Sequence, residues 1–219
     1  MLLRAFDIAF EEVMIALYKD DTKQRMLDYG PTGKVPAIQD GDINIWESLS
    51  ILEYVAECFP DKNIWPASKA ARAHARSACS EMHAGFMGLR SSCPMNLTAS
   101  FVTKDRGEEV DEDVKRLQAL WEEARSRFGA GGDFLYGEFS AADAMFAPVV
   151  TRLDTYQIPV SNLVRSYMDA VLNHSAFLQW KEEAFQEPWF LPHYEEGENV
   201  ETRFYMSDEG REGFGNLKL

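Results

Sequence analysis

The spacing of apolar and polar residues predicts that strands and helices are mixed in the first third of the chain. Alternation places Val13, Ile15 and Leu17 on one face of a strand, and Asp40-Gly41 is typical of a tight hairpin turn. The predicted elements are a strand over 10–17, an irregular helical segment over 19–30, strands over 35–38 and 43–46, and a helix from about Glu47 to Phe59.

The rest of the chain is predicted to be helical, because its apolar residues recur at steps of three and four. The predicted helices are a long one from near Ala71 to Pro94, one ending near Phe128, one after Ser140, and two over 162–172 and 175–185. The sequence after the last helix has no clear periodicity. The predicted organisation is a mixed unit over 1–62, a linker over 63–68, a helical unit over 69–187 and an acidic extended tail over 188–219.

Composition narrows the classes of partner. A chain of 219 residues, 46% of them hydrophobic, can bury a substantial core, and a net charge of -14 argues against nucleic acid and anionic membranes. No run of about 18 apolar residues predicts a membrane span. Three scattered cysteines, with no CxxC pair, indicate neither a disulfide framework nor a zinc site and fit a reducing cytoplasm. We therefore expect a small-molecule or protein partner and no metal.

The stretch GKVPAIQDGDINIWES (33–48) predicts a site for a small peptide. If the Val35-Pro36 bond is cis, the N–H and C=O of Val35 face outward and can pair with an added extended peptide. The N–H groups at the following helix start and the Ser48 hydroxyl suit a carboxylate, and Glu47 suits an ammonium group. Lys34 suits a second carboxylate. The alternative is a plain helix start and an edge-strand proline.

Two motifs resemble the cytosolic glutathione S-transferase family, including its bacterial zeta-like and maleylacetoacetate isomerase-related members. KVPAIQDGDINIWESLSILEYVAECFP (34–60) resembles the glutathione-binding stretch, and SAADAMFAPVVTRL (140–153) resembles the buried capping box of the helical domain. The resemblance covers roughly residues 1–187. It implies an α/β thioredoxin-like N-terminal domain, incomplete at its N-terminus, and an all-α C-terminal domain. Ser140 and Asp143 are interpreted as a structural cap.

The resemblance also implies a function. We expect a cytoplasmic homodimer that binds glutathione as a cosubstrate through Lys34, Val35, Pro36, Glu47 and Ser48, and conjugates it to a small electrophile. One alternative is a glutathione-dependent cis-trans isomerase of the maleylacetoacetate type. Arg90 is the basic residue that could bind its dianionic substrate. Another alternative is a non-catalytic binding or scaffold protein that keeps the fold.

The thiol-activating residue is unknown. The family supplies a Ser, Tyr or Cys near the end of its first strand, whereas MLLRAFDI resembles the middle of the family's first helix and FEEVMIAL its second strand. The first strand and the activating residue are therefore expected upstream of Met1. Without a central strand, the N-terminal half is expected to fold poorly, and a tail segment over 200–206 is the less favoured substitute.

Other residues have both a functional and a structural interpretation, and the structural one is preferred. His83 could face a substrate pocket, and Cys93 could be a reactive thiol. Apolar residues that could line a cosubstrate site, or only pack in the core, are Met82, Phe86, Met87 and Met95.

Overall fold

The N-terminal part of the molecule is a hairpin followed by a helix, preceded by short helical turns. The computed structural model describes residues 1–189 and the backbone of Val200–Arg203. The elements of this part are α1 (Leu2–Ala5), α2 (Thr22–Leu27), β1 (Ala37–Asp40), β2 (Ile43–Trp46), α3 (Ser48–Cys58) and a 3₁₀ turn (Pro60–Lys62). The predicted hairpin and the helix after it are thus confirmed, although the first strand begins at Ala37, two residues later than predicted.

The hairpin is antiparallel, with Ala37 opposite Trp46 and Asp40 opposite Ile43. Gly41 has a φ of 57°, a left-handed conformation that glycine adopts without steric cost, so the chain reverses within two residues. No residue of β1 or β2 is fully buried. The helix α3 after the hairpin does contribute buried residues, namely Ile51, Leu52 and Val55.

The predicted strand over 10–17 is wrong for the part of the chain that the structure describes. Residues 9–16 have no regular secondary structure, and Val13 is 46% exposed. Alternation of apolar and polar residues indicates only a local preference for extended backbone. A strand also needs a neighbouring strand to complete its ladder of hydrogen bonds. The strands β1 and β2 pair with each other, and residues 9–16 join neither.

The second part of the molecule is a layered helical unit with a dense core. Its helices are α4 (Lys69–Ala84), α5 (Met87–Ser92), α6 (Glu108–Phe128), α7 (Ala141–Thr155), α8 (Asn162–Leu172) and α9 (Ser175–Phe185). Trp121 of α6 lies at its centre, 1% exposed, with its ring edge-on to Phe146 of α7 and Tyr167 of α8. The helix predictions for 162–172 and 175–185 are confirmed.

The long helix predicted from Ala71 to Pro94 is two helices, which is a correction. The helix is interrupted at Gly85 and Phe86, and Phe86 has a left-handed φ of 58°. Glycine weakens a helix, and the Arg90 guanidinium stabilises the break because it donates to the carbonyl of Met82 at 2.7 Å. The spacing of apolar residues did not predict this interruption, because buried side chains recur at intervals of three and four on both sides of it.

The C-terminal unit is helical as predicted, apart from one short strand. A short strand β3 (Ala99–Phe101) pairs antiparallel with β4 (Val200–Arg203), which lies in the predicted tail. The tail strand therefore pairs with the helical unit, and it does not join the β1–β2 sheet. The predictions for 190–199 and 204–219 lie outside the described residues.

The predicted capping box at the start of α7 is confirmed. Asp143 is completely buried and accepts hydrogen bonds from the Ser140 backbone at 2.8 Å and from the Leu135 backbone at 3.1 Å. Burial raises the pKa of the Asp143 carboxyl to about 6, against the opposing effect of these donors. The structure thus explains Asp143 as a cap.

Candidate peptide-binding site

The candidate site lies at the open end of the β1–β2 hairpin, opposite its turn. Because Ala37 pairs with Trp46, the residues just before β1 and just after β2 leave the sheet side by side. The register therefore brings Val35-Pro36 next to Glu47-Ser48. These two pairs are eleven or more positions apart in the sequence, and the hairpin brings them together.

The Val35-Pro36 peptide bond is cis, which was the condition of the prediction made from the sequence. Val35 is 54% exposed, and its backbone makes no hydrogen bond to another residue of the described chain. Its N–H and C=O are therefore available to an extended peptide. Lys34 is exposed beside them and has no ion pair within the described residues.

Glu47 and Ser48 form the start of α3. Glu47 occupies the N-cap position with φ 67° and ψ 125°, a backbone conformation that costs energy for a residue with a side chain. Its side chain does not cap the helix, so the first N–H groups of α3 keep no side-chain acceptor. Such groups favour a carboxylate, and the half-buried Ser48 lies at their edge.

A residue from the helical unit joins this site. His83, in the last turn of α4, places Nε2 3.3 Å from Oε2 of Glu47. His83 was interpreted from the sequence as a pocket residue or as a packed or surface histidine, and its pair with Glu47 was not predicted. No pattern in the sequence links the two positions, because the contact depends on where the fold places the end of α4 relative to the start of α3.

The structure does not bring the other candidates together at the site. Arg90 directs its guanidinium at the carbonyls of Met82 and His83, so it serves the end of α4. Cys93 is completely buried, which favours its structural interpretation.

The predicted apolar set is divided between core and surface. Met82 and Phe86 are buried in the core, Met87 is 62% exposed, and the Met95 sulfur lies 3.6 Å from Nη1 of Arg152. Core packing accounts for Met82 and Phe86, and these four residues do not line one pocket.

A groove of about 530 Å³ lies elsewhere, along α6 and the turn after α7. Its lining residues include Val114, Gln118 and Pro159, and none belongs to the candidate site. Among the described residues, no cluster of three or more His, Cys, Asp or Glu side chains could hold a metal ion. Within the same residues, every helix is too short or too polar to cross a membrane.

Comparison with known proteins agrees with this architecture in both halves of the chain. Residues 1–57 match the glutathione S-transferase N-terminal domain, and residues 107–180 match the glutathione S-transferase C-terminal domain. The chain belongs to the glutathione S-transferase family. Its members pair a thioredoxin-like domain with a helical domain, and this confirms the predicted fold class apart from the short strand β3.

Relatives and solved structures agree with this membership. The chain is 25% identical to a probable maleylacetoacetate isomerase of Caenorhabditis elegans over 163 residues, which span 72% of this chain and 76% of the relative. It is 24% identical to glutathione S-transferase T1 of Arabidopsis thaliana over 225 residues, which span 96% and 86% of the two chains. A crystal structure of a glutathione transferase homologue from Burkholderia, with bound glutathione, shares the fold at a TM-score of 0.62. That alignment has 21% identity and covers 83% of this chain and 86% of the homologue.

Proposed function

We propose that this glutathione transferase binds glutathione at the open end of the hairpin and conjugates it to a small electrophile. Val35 pairs with the peptide backbone, and Pro36 directs the chain so that Val35 is presented. Ser48 and the N–H groups of α3 bind the γ-glutamyl carboxylate, and Glu47 binds the neighbouring ammonium group. Lys34 binds the carboxylate at the glycine end.

The observation that carries the proposal is the hairpin register, which supports a single site built from Val35-Pro36 and Glu47-Ser48. Together they offer a backbone edge, a helix start and an anion, which are the three groups that an extended γ-glutamyl peptide needs. The family membership and the glutathione in the Burkholderia homologue support the choice of ligand.

Calorimetric titration with glutathione tests the site. Glu47→Ala and Ser48→Ala should each weaken binding by about 1–3 kcal/mol, the cost of losing a hydrogen bond to a charged group. Glu57→Ala and Ser50→Ala are matched controls, because both residues are exposed on the same helix α3. Unchanged affinity in both site variants would remove Glu47 and Ser48 from the site.

A second candidate is a glutathione-dependent isomerase of the maleylacetoacetate type, favoured by the similarity to the Caenorhabditis relative. Such an isomerase would use Arg90 to bind its dianionic substrate. The Arg90 guanidinium instead donates to the end of α4, which weighs against this second candidate. Retention on immobilised glutathione, followed by turnover of a chlorinated aromatic and of maleylacetone, separates the two activities. Retention without either turnover would favour a non-catalytic binding protein.

The proposal includes a cytoplasmic homodimer, since a twofold contact is the commonest oligomer of soluble proteins. Sedimentation at micromolar concentration should give a species of twice the chain mass of 24.9 kDa. A single species at the chain mass would contradict the dimer.

A further inference from the structure

We propose that His83 is a positioning residue that orients the Glu47 carboxylate, and so makes the site selective for peptides with a free α-amino group. The inference rests on the proposed function, because it concerns the carboxylate assigned there to the ligand's ammonium group. It adds a selecting residue from the helical unit to a site whose other residues all come from the N-terminal part.

The geometry at Glu47 leaves one carboxylate oxygen for a ligand. Oε2 lies 3.3 Å from Nε2 of His83, and Oε1 has no hydrogen bond or ion pair with another described residue. A carboxylate has about four lone-pair positions, so a donor on one oxygen leaves room for an ammonium group on the other. Because the backbone of Glu47 is held at φ 67°, the direction in which its side chain leaves the chain is already set.

The geometry at His83 fixes the other end of the contact. The Arg90 guanidinium donates to the carbonyls of Met82 and His83 and so holds the last turn of α4. Two turns earlier on the same helix, Arg76 forms a paired contact with Glu53 of α3, at 2.7 and 2.6 Å. The helix α4 is thus attached to α3 at two points, and His83 approaches Glu47 from an ordered base.

The contact between His83 and Glu47 lowers the entropic cost of binding an amino group at Glu47. A glutamate side chain that is half exposed samples several rotamers, and a ligand that needs one of them must order it. The His83 ring, whose Nε2 lies 3.3 Å from Oε2, restricts the carboxylate to one orientation before the ligand arrives. A peptide without an α-amino group does not use the carboxylate, so His83 gives it no advantage.

The test compares glutathione with its analogue that lacks the α-amino group, using calorimetric titration of the full chain. The variants are His83→Ala, Glu47→Ala, the double variant, and His83→Gln, which keeps an N–H donor at a similar reach. Thermal melts check that each variant is folded. His83→Ala should weaken glutathione binding about three- to tenfold, as expected for an unordered side chain, and leave the analogue unchanged. His83→Gln should recover much of the loss.

The double-variant comparison decides whether His83 acts through Glu47. His83→Ala should have no effect on glutathione affinity once Glu47 is already alanine. Equal losses for both peptides, or a loss that persists in the Glu47→Ala background, would overturn the inference. If Glu47→Ala weakens binding and His83→Ala does not, only the inference fails. If Glu47→Ala has no effect, the assignment of Glu47 in the proposed function fails with it.

Discussion

The helical unit and the hairpin region differ in how their residues are buried. Most of α7 is buried, and Phe146 of α7 and Tyr167 of α8 place their rings edge-on to Trp121 of α6. In contrast, β1 and β2 have no fully buried residue, and the segment 9–16 has no strand partner among the described residues. The candidate site lies on the sparsely packed region, and α4 connects that region to the rigid one. Under the proposed function, binding specificity depends on how firmly the lightly packed hairpin region is attached to the helical unit.

The largest expected difference is in amide hydrogen exchange. Backbone amides of 9–16 have no regular hydrogen-bonded partner and should exchange at near-unprotected rates, whereas the α7 core opens only with global unfolding. We expect α7 amides to exchange at least about 10³-fold more slowly, given the usual stability of a domain. Mass spectrometry of the intact chain under native conditions measures this. Equal protection of the two segments would remove the contrast.

The next largest effect is expected from two tryptophans. Trp121→Ala should lower the free energy of unfolding by about 3–5 kcal/mol, because it empties a fully buried site between Phe146 and Tyr167. Trp46→Ala is the matched control, since this hairpin residue is 40% exposed; its cost should be below about 1 kcal/mol. Urea unfolding followed by circular dichroism compares them. Similar costs would show that the hairpin packs more tightly than its exposure indicates.

The buried cap in the helical unit predicts a pH dependence of stability. Burial raises the pKa of Asp143 from 3.8 to about 6 in the folded state, so the folded protein binds more protons between these values than the unfolded chain does. The contribution is therefore fully present below pH 3.8 and is lost as the pH rises through about 6. It is on the order of 2–3 kcal/mol, since one pKa unit corresponds to about 1.4 kcal/mol.

Asp143→Asn isolates this contribution, because asparagine does not titrate. The stability advantage of the native chain over the variant, measured by urea unfolding, should shrink between pH 4 and pH 7. An advantage that grows over this range would mean that the donors from Ser140 and Leu135 outweigh burial and lower the pKa of Asp143.

The smallest expected effect concerns the connection between the two regions. Arg76 of α4 pairs with Glu53 of α3, and Arg116 of α6 pairs with Glu81 of α4; both contacts are paired and exposed. Arg76→Ala and Arg116→Ala should each change the free energy of unfolding by less than about 1 kcal/mol, as is usual for surface ion pairs.

Of these two ion pairs, only Arg76–Glu53 joins the helical unit to the hairpin region, so only its loss should affect hydrogen exchange in the hairpin region. Arg76→Ala should speed hydrogen exchange in α3, whereas Arg116→Ala should leave α3 unchanged. Faster exchange of α3 in both variants would indicate a general loosening of α4, and the specific role of the Arg76–Glu53 contact would be lost.

The sequence predicts best where local signals and tertiary packing agree. The hairpin at Asp40-Gly41, the start of α3 and the capping box of α7 all follow from turn and capping residues that act within a few positions. The predicted strand over 10–17 failed because pairing needs a distant neighbour, which alternation cannot supply. The helix break at Gly85 was hidden because Phe86 remains buried beyond it.

The same distinction applies to the candidate site. Val35-Pro36 and Glu47-Ser48 could be identified because each is a local motif, and the cis bond fulfilled the condition placed on the first. The pair between His83 and Glu47 could not be predicted, because it follows from where the fold places the end of α4 relative to the start of α3. The assignment of Lys34, Val35, Pro36, Glu47 and Ser48 to glutathione stays a prediction until the titrations are made.

The length of the two-residue hairpin turn fixes the spacing between the two halves of the candidate site. This length sets Ala37 opposite Trp46, and that register alone decides that Glu47 leaves the sheet beside Pro36. If the two-residue turn is kept, one residue inserted between Asp40 and Ile43 shifts the pairing and exchanges the two faces of β2. Glu47 and Ser48 would keep their identities and their helix, yet they would no longer be opposite Val35. The spacing of the site is thus encoded at the far end of the hairpin, in residues that touch no ligand.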